Sequence, residues 1–190
     1  LVDENSPNGT ELGLVIASDP DAGQSITFAI IAGNTDNAFH IDENSGSLTV
    51  SNSLALDFEA TESYELIVEV EDNGIGNLTD EATITIQIND VNETPEMEDQ
   101  YFQVEQFTAE GTIIGTVIAD DPDNGQILTY VITSGNIQNA FEIDAYTGDI
   151  IVSESAALDP DINPIFLLQV KVQDNGLGNL FDEATVVISI

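Results

Sequence analysis

Apolar and polar residues alternate along most of this chain. Ile26, Phe28 and Ile30 take every second position of one run, and Leu48 and Val50 repeat the pattern over a shorter one. Tyr64, Leu66, Val68 and Val70 form a third series, and Ala82, Ile84, Ile86 and Ile88 a fourth. A period of two in β-branched and aromatic residues predicts half-buried strands. Asp21-Ala22-Gly23, Asn44-Ser45-Gly46 and Asp72-Asn73-Gly74 separate the runs and supply turn chemistry. Helix signals are nearly absent.

The pattern then starts again. VIASDPDAGQSITFAIIAGNTDNAFHID from Val15 is matched by VIADDPDNGQILTYVITSGNIQNAFEID from Val117. EDNGIGNLTDEATITIQI, ending at Ile88, is matched by QDNGLGNLFDEATVVISI, ending at Ile190. Both pairs are offset by 102 positions (117 − 15 and 190 − 88), so the copies align without a gap. In the second copy, Phe166, Leu168, Val170 and Val172 alternate, as do Ala184, Val186, Ile188 and Ile190. Six or seven short strands in about 100 residues predict an all-β fold of two tandem antiparallel Greek-key β-sandwiches. The boundaries expected are 1–95 for the first domain, including a linker at 89–95, and 96–190 for the second. The first strand of domain one is expected to be short or truncated, and the chain reads as part of something longer.

Composition narrows the chemistry. The apolar fraction is 42%, enough for a core, so the acids decorate a folded body. There are 36 acids against one base, Lys171, for a net charge of −35. Phosphate recognition needs basic residues, so neither nucleic acid nor an anionic membrane surface is an expected partner. Such self-repulsion calls for cations. Without cysteine, disulfides and thiolate metal sites are impossible, and no signal peptide or membrane-length apolar run is visible.

Many acids are simply solvated surface, but some cluster in turns at matched places: Glu4 in DENSPNGT, Asp19 and Asp21 in SDPD, Asp57 and Glu59 in ALDFE, and Asp72 in EDNG. The second copy supplies Asp121 and Asp123 in DDPD, Asp159 and Asp161 in ALDPD, and Asp174 in QDNG, and the connector reads NDVNETP. The ordered set Glu-Asn-x-Pro, Asp-Pro-Asp, Leu-Asp-x-Glu, Asp-x-Gly and Asp-x-Asn-acid-x-Pro resembles the cadherin repeat, covering nearly the whole chain as two repeats. DVNETP and GNLxDEAT are closest in flavour to the cadherin-like repeats of bacterial surface and secreted proteins.

That resemblance implies an immunoglobulin-like topology and calcium between successive repeats. The ligands it implies are Glu4, Asp57 and Glu59 from the first repeat and the side chains of Asn92 and Glu93 from the linker. Backbone carbonyls of Val91 and Thr94 would join them, with Asp121, Asp123 and Asp174 from the second repeat. Asp90 is expected to fix the linker. Seven carboxylates would then converge, and two of them ~5 Å apart repel by roughly 3 kcal/mol at an effective dielectric of ~20. Calcium takes six to eight oxygen ligands, and about three ions would nearly balance the charge. Asp19, Asp21 and Asp72 form an upstream half-site without its partner. Asp159 and Asp161 form a weaker downstream one, because Gln106 stands where the first copy has Glu4. The linker departs from the family pattern in having Glu93 in place of an Asp and in reaching Pro95 one residue early.

Other chemistry finds little support. Asp121-Pro-Asp-Asn-Gly lacks the acid that ends an EF-hand loop, and no glycine-rich nonapeptide repeat is present. His40 lies between two core positions and should face outward; with no second His and no Cys, no nucleophilic triad forms. A carboxylate pair for glycoside hydrolysis has no Trp platform beside it. Asn8, Asn77 and Asn92 begin sequons of the N-glycosylation form, which chance explains in an Asn- and Thr-rich chain. The expected function is not enzymatic. It is a calcium-binding repeat pair of a cell-surface or secreted, extracellular protein, rigidified by calcium for cell adhesion. Its expected partners are calcium, neighbouring repeats in the longer chain, and another cell-surface protein or a polysaccharide. The alternatives are a calcium-dependent polysaccharide-binding module and a spacer. Strand exchange through an N-terminal Trp is not expected, since the chain has none.

Overall fold

The computed structural model describes residues 1–190. The chain divides into two compact units, Leu1–Val91 and Asn92–Ile190. In the first, the strands are β1 (Val2–Asp3), β2 (Glu11–Leu14), β3 (Ile26–Ala32), β4 (Phe39–Ile41), β5 (Ser47–Val50), β6 (Ser63–Asp72) and β7 (Thr79–Asn89). They form a four-stranded sheet in the order β1-β7-β6-β3 and a three-stranded sheet in the order β2-β5-β4. The second unit has β8 (Gln100–Gln103), β9 (Ile113–Thr116), β10 (Thr129–Ser134), β11 (Phe141–Ile143), β12 (Asp149–Val152), β13 (Ile165–Gln173) and β14 (Phe181–Ser189). Its sheets are ordered β10-β13-β14-β8 and β11-β12-β9. Only single 3₁₀ turns interrupt the strands, and no helix is long and apolar enough to cross a membrane.

The all-β class and the paired sheets agree with the alternation in the sequence. Strand pairing is antiparallel with one exception per unit: β1 runs parallel to β7, and β8 parallel to β14. Periodicity cannot distinguish the two, because side chains alternate in both. The inward residues of each pair of sheets make one core. Phe39, Leu48, Val50, Leu66 and Val68 are buried in the first, and Phe141, Ile150, Val152, Leu168 and Val170 in the second. An edge-to-face aromatic pair sits at the same place in both. Phe39 and Tyr64 have centroids 5.0 Å apart, and Phe141 and Phe166 are 5.1 Å apart. The Tyr64 hydroxyl donates to the Ala55 carbonyl.

The units differ along one edge. In the second, Met97 is buried in the core, its N–H donates to Asp182 Oδ2 at 2.9 Å, and Glu96 pairs with Asp120. Counted back by the offset of 102, the position matching Met97 falls before Leu1. Ala82, an expected inward residue, is exposed, whereas Ala184 is buried.

Each unit also carries a register slip at the end of the strand before its Gly-Asn turn, between Ile30 and Ala32 and between Ile132 and Ser134. The glycine that follows is at φ +79° (Gly33) or +81° (Gly135), and a Cβ there would lie 1.8 Å from the carbonyl oxygen of Glu65 or Leu167. Both the left-handed backbone and the close approach require glycine. The next residue finishes the turn with its side chain: Asn34 Nδ2 donates to the Phe39 carbonyl at 2.8 Å, and Oδ1 accepts from Phe39 N–H at 2.9 Å. Asn136 does the same for Phe141. Gly135→Ala should cost the second unit more than about 3 kcal/mol, measured as a lowered urea midpoint with an unchanged slope.

Candidate metal-binding half-sites

Acids with the least exposure mark one end of each unit. In the first, Glu4 is only 3% exposed although it immediately follows β1. Its Oε1 accepts from the Val91 N–H at 2.7 Å and its Oε2 from the Phe58 N–H at 2.8 Å. Its own N–H donates to the Asn89 carbonyl at 3.0 Å. One carboxylate therefore ties the strand end, the Leu-Asp-Phe-Glu turn and the start of the connector together. The turn brings two more acids. Asp57 Oδ1 accepts from the Ala60 N–H at 2.9 Å. Glu4, Asp57 and Glu59 each place a carboxylate oxygen within 4.8 Å of the other two.

The second unit gathers its acids around Asn92 and Glu93. Asp123 is 5% exposed, and its Oδ2 accepts from the Glu93 N–H at 2.8 Å. Asp174 is 3% exposed, and its Oδ2 accepts from Asn92 Nδ2 at 2.9 Å. Asp121 Oδ1 accepts from the Asp123 N–H at 3.0 Å, the tight Asp-Pro-Asp turn that the sequence shows. Gln126 Nε2 donates to Asn92 Oδ1. A Cβ on Gly176 would lie 1.5 Å from that same oxygen, so only glycine leaves room for the Asn92 amide.

Whether these groups suit a cation can be read from what surrounds them. Asp121 Oδ2 and Asp123 Oδ1 are buried and receive no hydrogen bond. Burial pushes the Asp121 carboxyl above the usual carboxylate range; the Asp123 N–H pulls the other way, and the Asp123 and Asp174 charges add to the rise. A cation is the complement such oxygens lack. The donors are carboxylate and amide oxygens, with no thiol or imidazole among them, which suits a hard ion such as calcium.

The remaining expected residues are less enclosed. Asp19 and Asp21 make the same Asp-Pro-Asp turn, with the Asp21 N–H 2.6 Å from Asp19 Oδ1. Asp72 is buried, and its Oδ1 accepts from the N–H groups of Gly74 and Leu78, both at 3.0 Å. Asp159 Oδ1 accepts from the Asp161 N–H at 3.0 Å, and Gln106 is exposed. Val91 and Thr94 are exposed. His40 is exposed between buried Phe39 and Ile41. Gln126 was not among the residues expected at the site. Its signal was nonetheless present, because Asp-Pro-Asp-x-Gly-Gln occurs in both copies, at Gln24 and Gln126.

Each unit is a β-sandwich with acids gathered at strand ends and at the connector. The cadherin domain profile matches residues 1–89 and 100–190, and this chain belongs to the cadherin family. It is 33% identical to human Protocadherin Fat 4 over 197 aligned residues, which is 100% of this chain and 4% of that protein. Human Protocadherin-11 X-linked is 34% identical over 98% of this chain and 14% of its own length. The chain thus spans a small fraction of these relatives. Among solved structures, mouse Cadherin-23 EC22-24 superposes with a TM-score of 0.71 at 25% identity, covering 99% of this chain and 60% of that one. Human CDH23 EC21-23 gives 0.71 at 23% identity, covering 100% of this chain and 70% of that one.

The elevated Asp121 carboxyl has a pH signature. Its contribution to stability is full below the usual carboxylate value of 3.8, where it is protonated folded and unfolded, and is lost as the pH rises through its raised folded value. In chelator, Asp121→Asn should therefore unfold at higher urea than the parent at neutral pH. The difference should disappear in acid, as followed by denaturant titrations across that range.

Proposed function

We propose that this chain is a calcium-stiffened pair of cadherin repeats in the extracellular part of a cell-surface protein, acting in adhesion and not in catalysis. The observation that carries the reading is the pinning of three consecutive connector residues. Glu4 holds the Val91 N–H, Asp174 holds the Asn92 amide, and Asp123 holds the Glu93 N–H. Each unit thus fastens its own end of the connector with buried carboxylates. Bound calcium would supply positive charge to oxygens that otherwise repel.

In this reading Glu4, Asp57 and Glu59 hold calcium from one side, and Asp121, Asp123 and Asp174 from the other. Asn92 and Glu93, with the carbonyls of Val91 and Thr94, complete the set. About three ions would leave the seven carboxylates nearly neutralised. Asp19, Asp21 and Asp72 would serve a preceding repeat, and Asp159 and Asp161 a following one. A swivelling connector would become a fixed one, so that repeats in series transmit force and orientation. Membership of the cadherin family supports the adhesive, extracellular setting.

The test compares the chain in millimolar calcium and in chelator. Each independent site filled to about a hundredfold over its Kd adds about 2.7 kcal/mol, so calcium should raise the melting temperature by roughly 5–15 °C. Small-angle scattering should show a narrower distribution of end-to-end distances with calcium. Glu4→Gln and Asp123→Asn should each remove most of both effects. Identical melting and scattering with and without calcium would refute the reading.

A further inference from the structure

Asn-Gly occurs four times in this chain, at Asn8, Asn73, Asn124 and Asn175. Asparagine is a labile residue, and a following glycine leaves nothing to obstruct its own main-chain nitrogen from reaching the asparagine Cγ. All four asparagines are exposed, so access to water does not separate them. Hydrogen bonding does. Asn8 Oδ1 accepts from the Ser53 N–H at 2.7 Å, and the Gly9 N–H donates to the Val50 carbonyl at 2.8 Å. Asn73 Oδ1 accepts from the Ser25 N–H at 2.9 Å, and the Gly74 N–H donates to Asp72 Oδ1 at 3.0 Å. Asn175 and Gly176 repeat that arrangement, with the Ile127 N–H at 2.8 Å and Asp174 Oδ1 at 3.1 Å. In each of these pairs the amide is held by its oxygen, and an acceptor keeps the proton on the glycine nitrogen.

Asn124 and Gly125 have neither restraint. They are the central residues of the Asp-Pro-Asp-Asn-Gly-Gln turn, and both are exposed. No hydrogen bond holds the Asn124 amide or the Gly125 N–H. A Cβ on Gly125 would meet nothing within 4 Å, so the space around the nitrogen is open. The first unit has Ala22-Gly23 at the matching place. Gly23 and Gly125 share a left-handed backbone, at φ +92° and +84°, so the turn forms equally well without the amide.

We propose that Asn124 is a site of spontaneous deamidation, and that its conversion loosens the hold of this turn on the connector. The Gly125 nitrogen attacks Asn124 Cγ and gives up its proton, the side-chain nitrogen leaves as ammonia, and a cyclic imide closes. Water then opens either C–N bond of the ring, giving aspartate or isoaspartate. The balance is one water in and one ammonia out, with no oxidant or cofactor. Both products add a carboxylate beside Asp121 and Asp123, whose Oδ2 and Oδ1 are already buried without a hydrogen bond. Isoaspartate also adds a methylene to the main chain between Asp123 and Gln126. Those two residues hold the connector, Asp123 by the Glu93 N–H and Gln126 by Asn92 Oδ1. A longer, more negative turn keeps neither contact well.

The test reads a covalent change in chelator, so it does not depend on calcium at the connector. The chain is held for weeks at physiological temperature and pH and mapped by peptide mass spectrometry, with isoaspartate detected by enzymatic methyl labelling. Asn124 should convert at least about tenfold faster than Asn8, Asn73 or Asn175, because each of those must first open its hydrogen bonds. In urea the four rates should converge. Equal rates in the folded chain overturn the proposal, and so does a lead of Asn124 that persists in urea. After conversion, amide hydrogen exchange of the connector segment 92–96 should quicken by about tenfold. Asn124→Ala, which carries the residue type of the first unit, should keep its original exchange through the same incubation. Exchange that conversion leaves unchanged, or that quickens equally in Asn124→Ala, overturns the link between the modification and the connector.

Discussion

A carboxylate withdrawn from water must recover its hydrogen bonds from the protein, and this constraint organises the ends of both units. Glu4, Asp72, Asp123 and Asp174 are all nearly inaccessible to solvent. Each spends at least one oxygen on a backbone or side-chain N–H of a turn or the connector. The backbone at these places is irregular, so its N–H groups have no strand to bind and would otherwise be orphaned. Anion and backbone satisfy one another. Removing either leaves the other buried and unpaired, which costs more than the bond itself contributes.

Not all turn acids behave alike, although the sequence writes them with the same letters. The Asp42 carboxyl is held below its usual range, first by the Ser45 hydroxyl and then by the N–H groups of Ser45 and Asn44. The N–H groups of Thr147 and Tyr146 do the same for Asp144. These acids cap turns and are content as anions in water. Asp121 moves the other way, because burial and the neighbouring Asp123 and Asp174 charges outweigh the one N–H it receives. Donor count set against carboxylate count separates an acid that closes a turn from one that lacks a counterion.

The two sandwiches were legible because alternation is enforced by burial. Phe28, Tyr64, Leu66, Val68, Ile86 and Ile88 point inward as their spacing requires. Parallel pairing of β1 and β8 was hidden, since strand direction leaves no trace in a period of two. Acids at turns could be picked out by their repetition. Gln126 could not be picked out by charge, since a neutral amide does not stand out in a chain rich in Asn and Gln. It matters because it orients Asn92, whose own amide faces Asp174.

Duplication also separates what the fold demands from what it merely permits. Positions that touch the core or close the backbone are the same in chemistry in both units: Phe39 and Phe141, Gly33 and Gly135, Asn34 and Asn136. At each of these a void, a Cβ clash or an unpaired amide would follow from change. Outward positions of the long strands carry no such penalty, and there Glu65 becomes Leu167 and Glu69 becomes Lys171. Surface substitutions of this kind cost little stability in either direction. The sandwich is therefore indifferent to them, and they are free to differ between the copies while the core and the turn glycines do not.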